Sequence, residues 1–241
     1  MSNRPQQAII LAAGAGRRLG LDGPKSMADV GGRTIIRRQI DAFHAVGVER
    51  FIVVVGYEQQ CLREHLAGSP GTFTFIENPR YAETNTIYSL YLARHEMAEP
   101  FFYANADVVF DRRLPQRLID SDVPNALGVQ TGRCAEEEVK VIVEGDRVAQ
   151  IGKKLHPADC LGEFVGVAGF GDAILPAFRT TLERLVEHDD IVNDYFERAL
   201  DAMCATEVLT PVDITDLPCR EIDFPEDLEK ARNDLATKLV S

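Results

Sequence analysis

A three-layer α/β domain, with helices on both faces of a mixed but mostly parallel sheet, is the fold class this sequence predicts. Two observations carry the expectation. In the first half, short unbroken apolar runs alternate with amphipathic segments of helical length, the pattern of strands buried on both faces and joined by crossover helices. In the second half, two strand-like runs flank a two-residue polar turn, which marks an inserted antiparallel β portion.

Taken in order, residues 8–12 (A-I-I-L-A) form the first apolar run, and 51–55, 73–76 and 101–104 the next three. Between them, 34–46, 58–66 and 87–97 read as helices, the first closed by Gly47 at a C-terminal stop position. Residues 139–144 and 147–151 flank Gly145-Asp146 as a hairpin, and 163–170 is a further strand. Residues 173–187 and 191–203 read as helices, 207–212 and 220–223 as late strands. Pro225 opens a last helix running to 236, proline being favoured in a first turn. No linker, low-complexity tract or internal repeat interrupts the chain, so residues 1–241 read as one domain.

Composition narrows the function. With 45% hydrophobic and 27% charged residues in 241, the chain reads as an ordinary globular protein. No apolar run approaches the roughly 20 residues needed to span a bilayer. The polar segment 1–7 has no signal-peptide pattern, so the expected location is cytoplasmic. Cys61, Cys134, Cys160, Cys204 and Cys219 are scattered and odd in number, which points to neither a zinc site nor a disulfide framework. A net charge of −12 argues against nucleic-acid or membrane binding, which need a basic face. It leaves room for a small anionic substrate, provided that local cations or a divalent metal meet it.

Those cations sit just after the first strand. The loop carries Gly14, Gly16, Gly20 and Gly23 together with Arg17, Arg18 and Lys25. Backbone N–H groups and positive side chains so arranged suit a polyphosphate. A dinucleotide fingerprint needs its third glycine one place earlier than Gly20, with a helix starting inside the motif. A P-loop needs the helix to begin at Lys25-Ser26, which Pro24 opposes. What remains is a long loop wrapping a nucleoside triphosphate, with a lysine arriving from its far end.

The stretch L-A-A-G-A-G-R-R-L-G-x(3)-P-K-S-M resembles the signature of the sugar-phosphate nucleotidyltransferases in its glycines, an arginine and the Pro-Lys pair. Asn105-Ala106-Asp107, closing an apolar strand, and Glu221-Ile222-Asp223, preceding a helix, are similar to that family's two metal-aspartate segments. In isolation either aspartate would read as a helix cap or turn residue. The resemblance implies a Rossmann-like glycosyltransferase-A-type fold. It implies Mg²⁺ held by Asp107 and Asp223, both at carboxyl ends of strands. It also implies Arg17 on the β- and γ-phosphates, and Lys25 on the α-phosphate or the acceptor phosphate. Leu11, Ala12, Ala13, Gly14, Gly16 and Ala106 would line the nucleotide. Arg18 reads equally as a solvated charge. The acceptor phosphate itself attacks, so no side-chain nucleophile is required.

Residues 78–93, N-P-R-Y-A-E-T-N-T-I-Y-S-L-Y-L-A, resemble an element of the bacterial choline-phosphate, phosphonate and inositol-phosphate cytidylyltransferases. This implies CTP, with Glu83, Thr84 and Asn85 bordering base or ribose. A hexose-1-phosphate uridylyl- or thymidylyltransferase, the alternative, would show a Gly-Leu-Ala-Gln-type element that this chain lacks. Residues 138–167 are similar to cytidylyltransferases acting on small phosphonates and phosphate esters. Lys140 and Lys153 would then meet the acceptor's phosphorus group, and Glu163 its other end. The nucleotide half spans about 1–110 and the acceptor part about 111–241. With no tryptophan and with Tyr81, Tyr88 and Tyr91 also readable as core, phosphocholine is not favoured over an aminoethylphosphonate-like acceptor. Two readings of other classes stand beside it: a non-catalytic nucleotide-binding relative, and a nicotinamide-dependent dehydrogenase. A homodimer is admitted only by analogy.

Overall fold

The structure, a computed structural model, describes residues 4–20 and 23–235. The first apolar run is β1, Gln7–Ala12, buried at every position. Among the described residues of the loop, single 3₁₀ turns form at Arg17–Leu19 and Lys25–Met27, as Pro24 and the flanking glycines favour. Then come α1 (Ile35–Ala45), β2 (Arg50–Val55), α2 (Gln59–Leu66), β3 (Thr72–Glu77), α3 (Thr86–Leu92) and β4 (Phe101–Asn105). Three elements without a counterpart in the sequence reading follow: β5 (Val108–Phe110), α4 (Leu114–Asp120) and β6 (Asn125–Thr131). The hairpin is β7 (Lys140–Glu144) and β8 (Arg147–Gly152), and β9 is Gly162–Phe170. The chain closes with α5 (Leu175–Glu183), α6 (Glu197–Met203), β10 (Thr210–Asp213), β11 (Cys219–Glu221) and α7 (Pro225–Lys230).

The main sheet runs β10-β6-β9-β4-β1-β2-β3, with the hairpin attached to β9 through β7. The pairings of β1 with β2 and β4, of β2 with β3, and of β6 with β10 are parallel. β9 runs against both β4 and β6, so it is the single reversed strand along that path. Alternate residues of a strand face opposite ways, which splits the core into two layers. Ile9, Leu11, Ile52 and Val54 pack with Leu90 of α3, Phe178 of α5 and Leu200 of α6. Ala8, Ile10, Val53 and Val55 pack with Phe43 of α1, Leu62 of α2 and Leu118 of α4. This is the expected three-layer arrangement. No helix among the described residues is long and apolar enough to cross a membrane.

Three expectations are adjusted. The run 73–76 is not a doubly buried strand: β3 is the sheet edge, and its residues alternate in exposure. The helix expected over 191–203 begins only at Glu197, because the preceding backbone serves α3 instead. The carbonyls of Val192 and Asp194 accept from the N–H groups of Asn85 and Ile87, which a helix start leaves without intrahelical partners. The last helix passes into a π-helical turn over Ala231–Leu235, and position 236 lies outside the described residues. The five cysteines are free thiols, yet Cys134 Sγ and Cys160 Sγ lie 2.7 Å apart.

Candidate active site

A cleft of about 750 Å³ opens where β1 and β4 end, the place at which open α/β sheets bind ligands. Two contacts fix its floor. Ala106 N–H donates to Leu11 O at 3.1 Å. The buried Gln39 amide, reaching from α1, donates to the carbonyls of Asn105 at 2.8 Å and Val108 at 2.7 Å. The turn bearing Asp107 is thereby tied to both neighbouring layers. β11 then pairs antiparallel with β5, setting Glu221 opposite Val108, and Ile222 N–H donates to Asp107 O at 3.0 Å. This small ladder joins two segments far apart in the chain. Asp107, Glu221 and Asp223 each place a carboxylate oxygen within 4.8 Å of the others.

Lys25 points into this group. Its ammonium donates to Asp107 Oδ2 at 2.9 Å and also contacts Asp223. Burial alone would lower the Lys25 pKa, but the two carboxylates outweigh it and hold the amine charged well above its usual range. Gly16 makes room for the lysine stem. It adopts φ +55°, and a Cβ there would lie 2.5 Å from Lys25 Cβ. Glu221, although exposed at the cleft edge, is pushed up to about 8 by partial desolvation of its carboxyl and then by Asp107 and Asp223. Asp107 Oδ1 is buried and accepts no hydrogen bond. A buried acceptor without a donor calls for a cation or water. The all-oxygen set offers the hard ligands that Mg²⁺ takes.

The nucleotide side is built from backbone. Leu11, Ala12, Ala13, Gly14, Gly16 and Ala106 all line the cleft. Beside them the buried Asn78 amide donates to Thr84 Oγ1 and Ser89 Oγ, each at 3.1 Å. That bond shapes the loop before α3. Asn85 Oδ1 caps the helix by accepting from Thr86 N–H at 2.8 Å. Thr84 and Asn85 face the cleft. Glu83 does not: it is exposed and lies 3.8 Å from Arg80 in a surface ion pair, so its expected place beside the base is corrected. Arg17 is likewise exposed and off the lining. Arg18 faces the cleft instead, its guanidinium 5.8 Å from the Phe224 ring centroid.

Lys153 and Glu163 also line the cleft wall. The Lys153 ammonium sits 4.3 Å from the Tyr195 ring centroid. Glu163 is raised to about 7 by burial and then by Glu138, with Lys153 and Arg220 opposing. Lys140 departs from expectation. It is wholly buried and off the lining, and its ammonium donates to the carbonyls of Glu136, Glu138 and Lys153 at 2.7, 3.2 and 2.7 Å. An ammonium has three N–H donors, and all are committed to backbone. Lys140 therefore braces the wall and does not face the acceptor space. The sequence reading missed Glu221 and Glu197. Glu221 was findable, because positions two apart on a strand share a face and it precedes Asp223 by two.

The sequence profile of the MobA-like NTP transferase domain matches residues 8–158. The chain is 31% identical over 147 residues to the CMP-5'-(3-aminopropyl)phosphonate synthase of Streptomyces rubellomurinus, a match covering 59% of this chain and 23% of that protein. It thus spans less than a quarter of that relative's length. It is 28% identical over 248 residues to the CTP:phosphoglutamine cytidylyltransferase of Campylobacter jejuni, covering 92% of this chain and 97% of the other. Its fold is similar to that of the CTP:phosphocholine cytidylyltransferase from Streptococcus pneumoniae, with a TM-score of 0.83 at 21% identity, over 95% of this chain and 98% of that one.

Proposed function

The chain belongs to the MobA-like NTP transferase family, and from that premise we propose that it is a Mg²⁺-dependent cytidylyltransferase joining CMP from CTP to a small phosphonate or phosphate monoester. The observation that carries the reading is the meeting of Lys25, Asp107, Glu221 and Asp223 at the end of a backbone-lined cleft. Relatives named for cytidylyl transfer or for a CMP-phosphonate product support the choice of CTP and of acceptor class.

In the reaction an acceptor oxygen attacks the α-phosphorus, the new O–P bond forms, and the bond to the β-phosphate oxygen breaks to release pyrophosphate. Both partners are anions, so positioning and charge neutralisation supply most of the rate. Asp107, Glu221 and Asp223 would hold the Mg²⁺, which when bound neutralises phosphate charge. Lys25 is an ammonium that stays charged across the working pH range and is aimed at the same place. Arg18 adds a second cation on the loop side. Leu11 to Gly14 line the nucleotide side. Lys153 stands on the acceptor side, where it can meet the attacking oxyanion's phosphorus group.

The test is pyrophosphate release from each of the four nucleoside triphosphates with a panel of acceptors, with and without Mg²⁺. Release with CTP and a phosphonate or phosphate ester is expected. Release only with UTP or dTTP and a hexose 1-phosphate, or none with any pair, overturns the reading.

A further inference from the structure

Among the described residues, Cys134 and Cys160 are the cysteines whose sulfurs touch, with Cys160 Sγ 2.7 Å from Cys134 Sγ. The sheet brings them together. β6 and β9 pair as far as Thr131 opposite Gly162, and Gly132 N–H then donates to Leu161 O at 3.0 Å. Both cysteines lie within two residues of that last bond. The strands run close there because residue 162 is glycine: a Cβ would lie 2.7 Å from Thr131 Cα. On the far side the Lys140 ammonium ties the same two loops again, through the carbonyls of Glu136, Glu138 and Lys153. The pair therefore sits between two clamps. Facing positions of antiparallel strands stand at backbone separations that a disulfide spans, and the two sulfurs need to close by less than an ångström. Both side chains are half-buried, so a small oxidant can reach them. Burial, and then the hydrogen bond from Cys160, push the Cys134 thiol up, so Cys134 keeps its proton.

We propose that Cys134 and Cys160 form a reversible disulfide, a redox modification site beside the cleft. The inference goes beyond the cytidylyl-transfer reading and does not depend on it. The oxidant is a peroxide. The Cys160 sulfur attacks a peroxide oxygen, the O–O bond breaks, and a sulfenic acid and one water form. The Cys134 sulfur then attacks the Cys160 sulfur. The S–S bond forms, the S–O bond breaks, and the hydroxyl leaves with the Cys134 proton as a second water. Two thiols have given up two electrons and two protons, and the peroxide is reduced to water. A dithiol reverses the bond by exchange. The loop 132–139 supplies Glu137, Glu138 and Val139 to the cleft lining. The bond joins that loop to Cys160, next to the start of β9, so oxidation stiffens one wall of the cleft without displacing it.

The experiment treats the reduced full chain with increasing hydrogen peroxide, alkylates the remaining thiols after denaturation, and maps the peptides by mass. The expected product is a monomer in which two of the five thiols are lost to one bond between Cys134 and Cys160, restored by dithiothreitol. Two readouts follow the bond. The thermal midpoint of the oxidised protein should rise by about 5 °C or more, because closing this loop restricts the unfolded chain. Cleavage by a glutamate-specific protease at the exposed Glu136 and Glu137 should slow about fivefold or more. Cys134→Ser and Cys160→Ser should each abolish the bond and both readouts. The mapping on the wild type stands without them, should either variant fail to fold. Five alkylatable thiols at every peroxide level, sulfinic acid at Cys160 in place of the bond, or a bond to another cysteine would overturn the proposal. A bond that forms but lowers the midpoint would overturn the claim that the wall stays in place.

Discussion

The Lys25 ammonium donates to Asp107 Oδ2 at 2.9 Å, and the same ammonium contacts Asp223. One cation thus lies against two members of the carboxylate group that would hold the metal. In the proposed reaction lysine and Mg²⁺ would compete for the same negative charge, while both would be needed for turnover.

That competition gives Lys25→Met opposite effects on two readouts. Removing the resident cation leaves Asp107, Glu221 and Asp223 uncompensated, so Mg²⁺ binding to the free protein should tighten. Turnover should fall about a hundredfold or more, because one phosphate-directed charge is lost from the transition state. Calorimetric Mg²⁺ titration and steady-state kcat measure the two separately. A variant that weakens Mg²⁺ binding would contradict the competition.

Asp107 and Glu221 should differ in weight. Asp107 is pinned by the Ile222 N–H and by the Gln39-braced turn, and its Oδ1 is left without a hydrogen bond. Asp107→Ala should lose about a thousandfold in kcat. Glu221→Gln keeps the ladder with β5 and removes one charge. It should raise the Mg²⁺ concentration for half-activity about tenfold, with kcat at saturating metal recovering in large part. A Mg²⁺ titration of activity separates the two outcomes.

Gly16→Ala should be costly although the loop is at the surface. The position has φ +55°, which favours glycine by about 1–2 kcal/mol. The added Cβ would also lie 2.5 Å from Lys25 Cβ. Either Lys25 or the loop must shift. Thermal unfolding should drop by a few degrees, and kcat/KM for the nucleotide should fall further than Gly14→Ala, where a Cβ meets nothing within 4 Å.

Lys140→Met should act on stability and not on acceptor binding. The substitution leaves the carbonyls of Glu136, Glu138 and Lys153 without their donor. Losing buried charge-assisted hydrogen bonds of this kind costs about 3 kcal/mol or more. Urea unfolding should show that loss, while KM for the acceptor stays unchanged at temperatures where the variant is folded. A raised acceptor KM with full stability would return Lys140 to the cleft.

The sequence revealed most where backbone chemistry is restrictive. The late Gly20 and Pro24 argue against a helix start in the loop, and its described residues form 3₁₀ turns. Asp107 and Asp223 were legible because each follows or precedes a recognisable element. Side-chain direction was not legible. Arg18 faces the cleft where the resemblance favoured Arg17. Three backbone carbonyls capture Lys140, and no spacing rule reports that. β6 passed unread because Asn125, Gly128 and Gln130 break its apolar run. Gly128 is there because a Cβ would lie 3.1 Å from Val167 O of β9. The start of α6 was misplaced because segment 191–196 serves the α3 N-terminus, a tertiary contact invisible to periodicity.

Stability should fall as pH rises through neutrality, and Glu197 should account for a measurable part of the fall. Burial pushes its carboxyl up to about 7, with Lys153 opposing and Asp194 and Asp107 reinforcing. In the unfolded chain the same group titrates near about 4.3. Between those values the native state holds a proton that the unfolded state has released, so the slope of unfolding free energy with pH is negative. The contribution is intact below the unfolded pKa and is lost as pH passes through about 7. Glu163, also raised to about 7, acts in the same direction. Asp213 and Asp216 have lowered pKa values, so they matter only under acid conditions. His65 is lowered by burial, then by Arg37 and Arg33, and acts the opposite way, favouring the fold as pH rises. The difference between proteins is therefore the clean measurement. Urea midpoints at pH 5.5 and pH 8, without metal or nucleotide, should drop further in the wild type than in Glu197→Gln, which has no proton to lose. Parallel drops in the two proteins would show that Glu197 is already ionised in the free cleft.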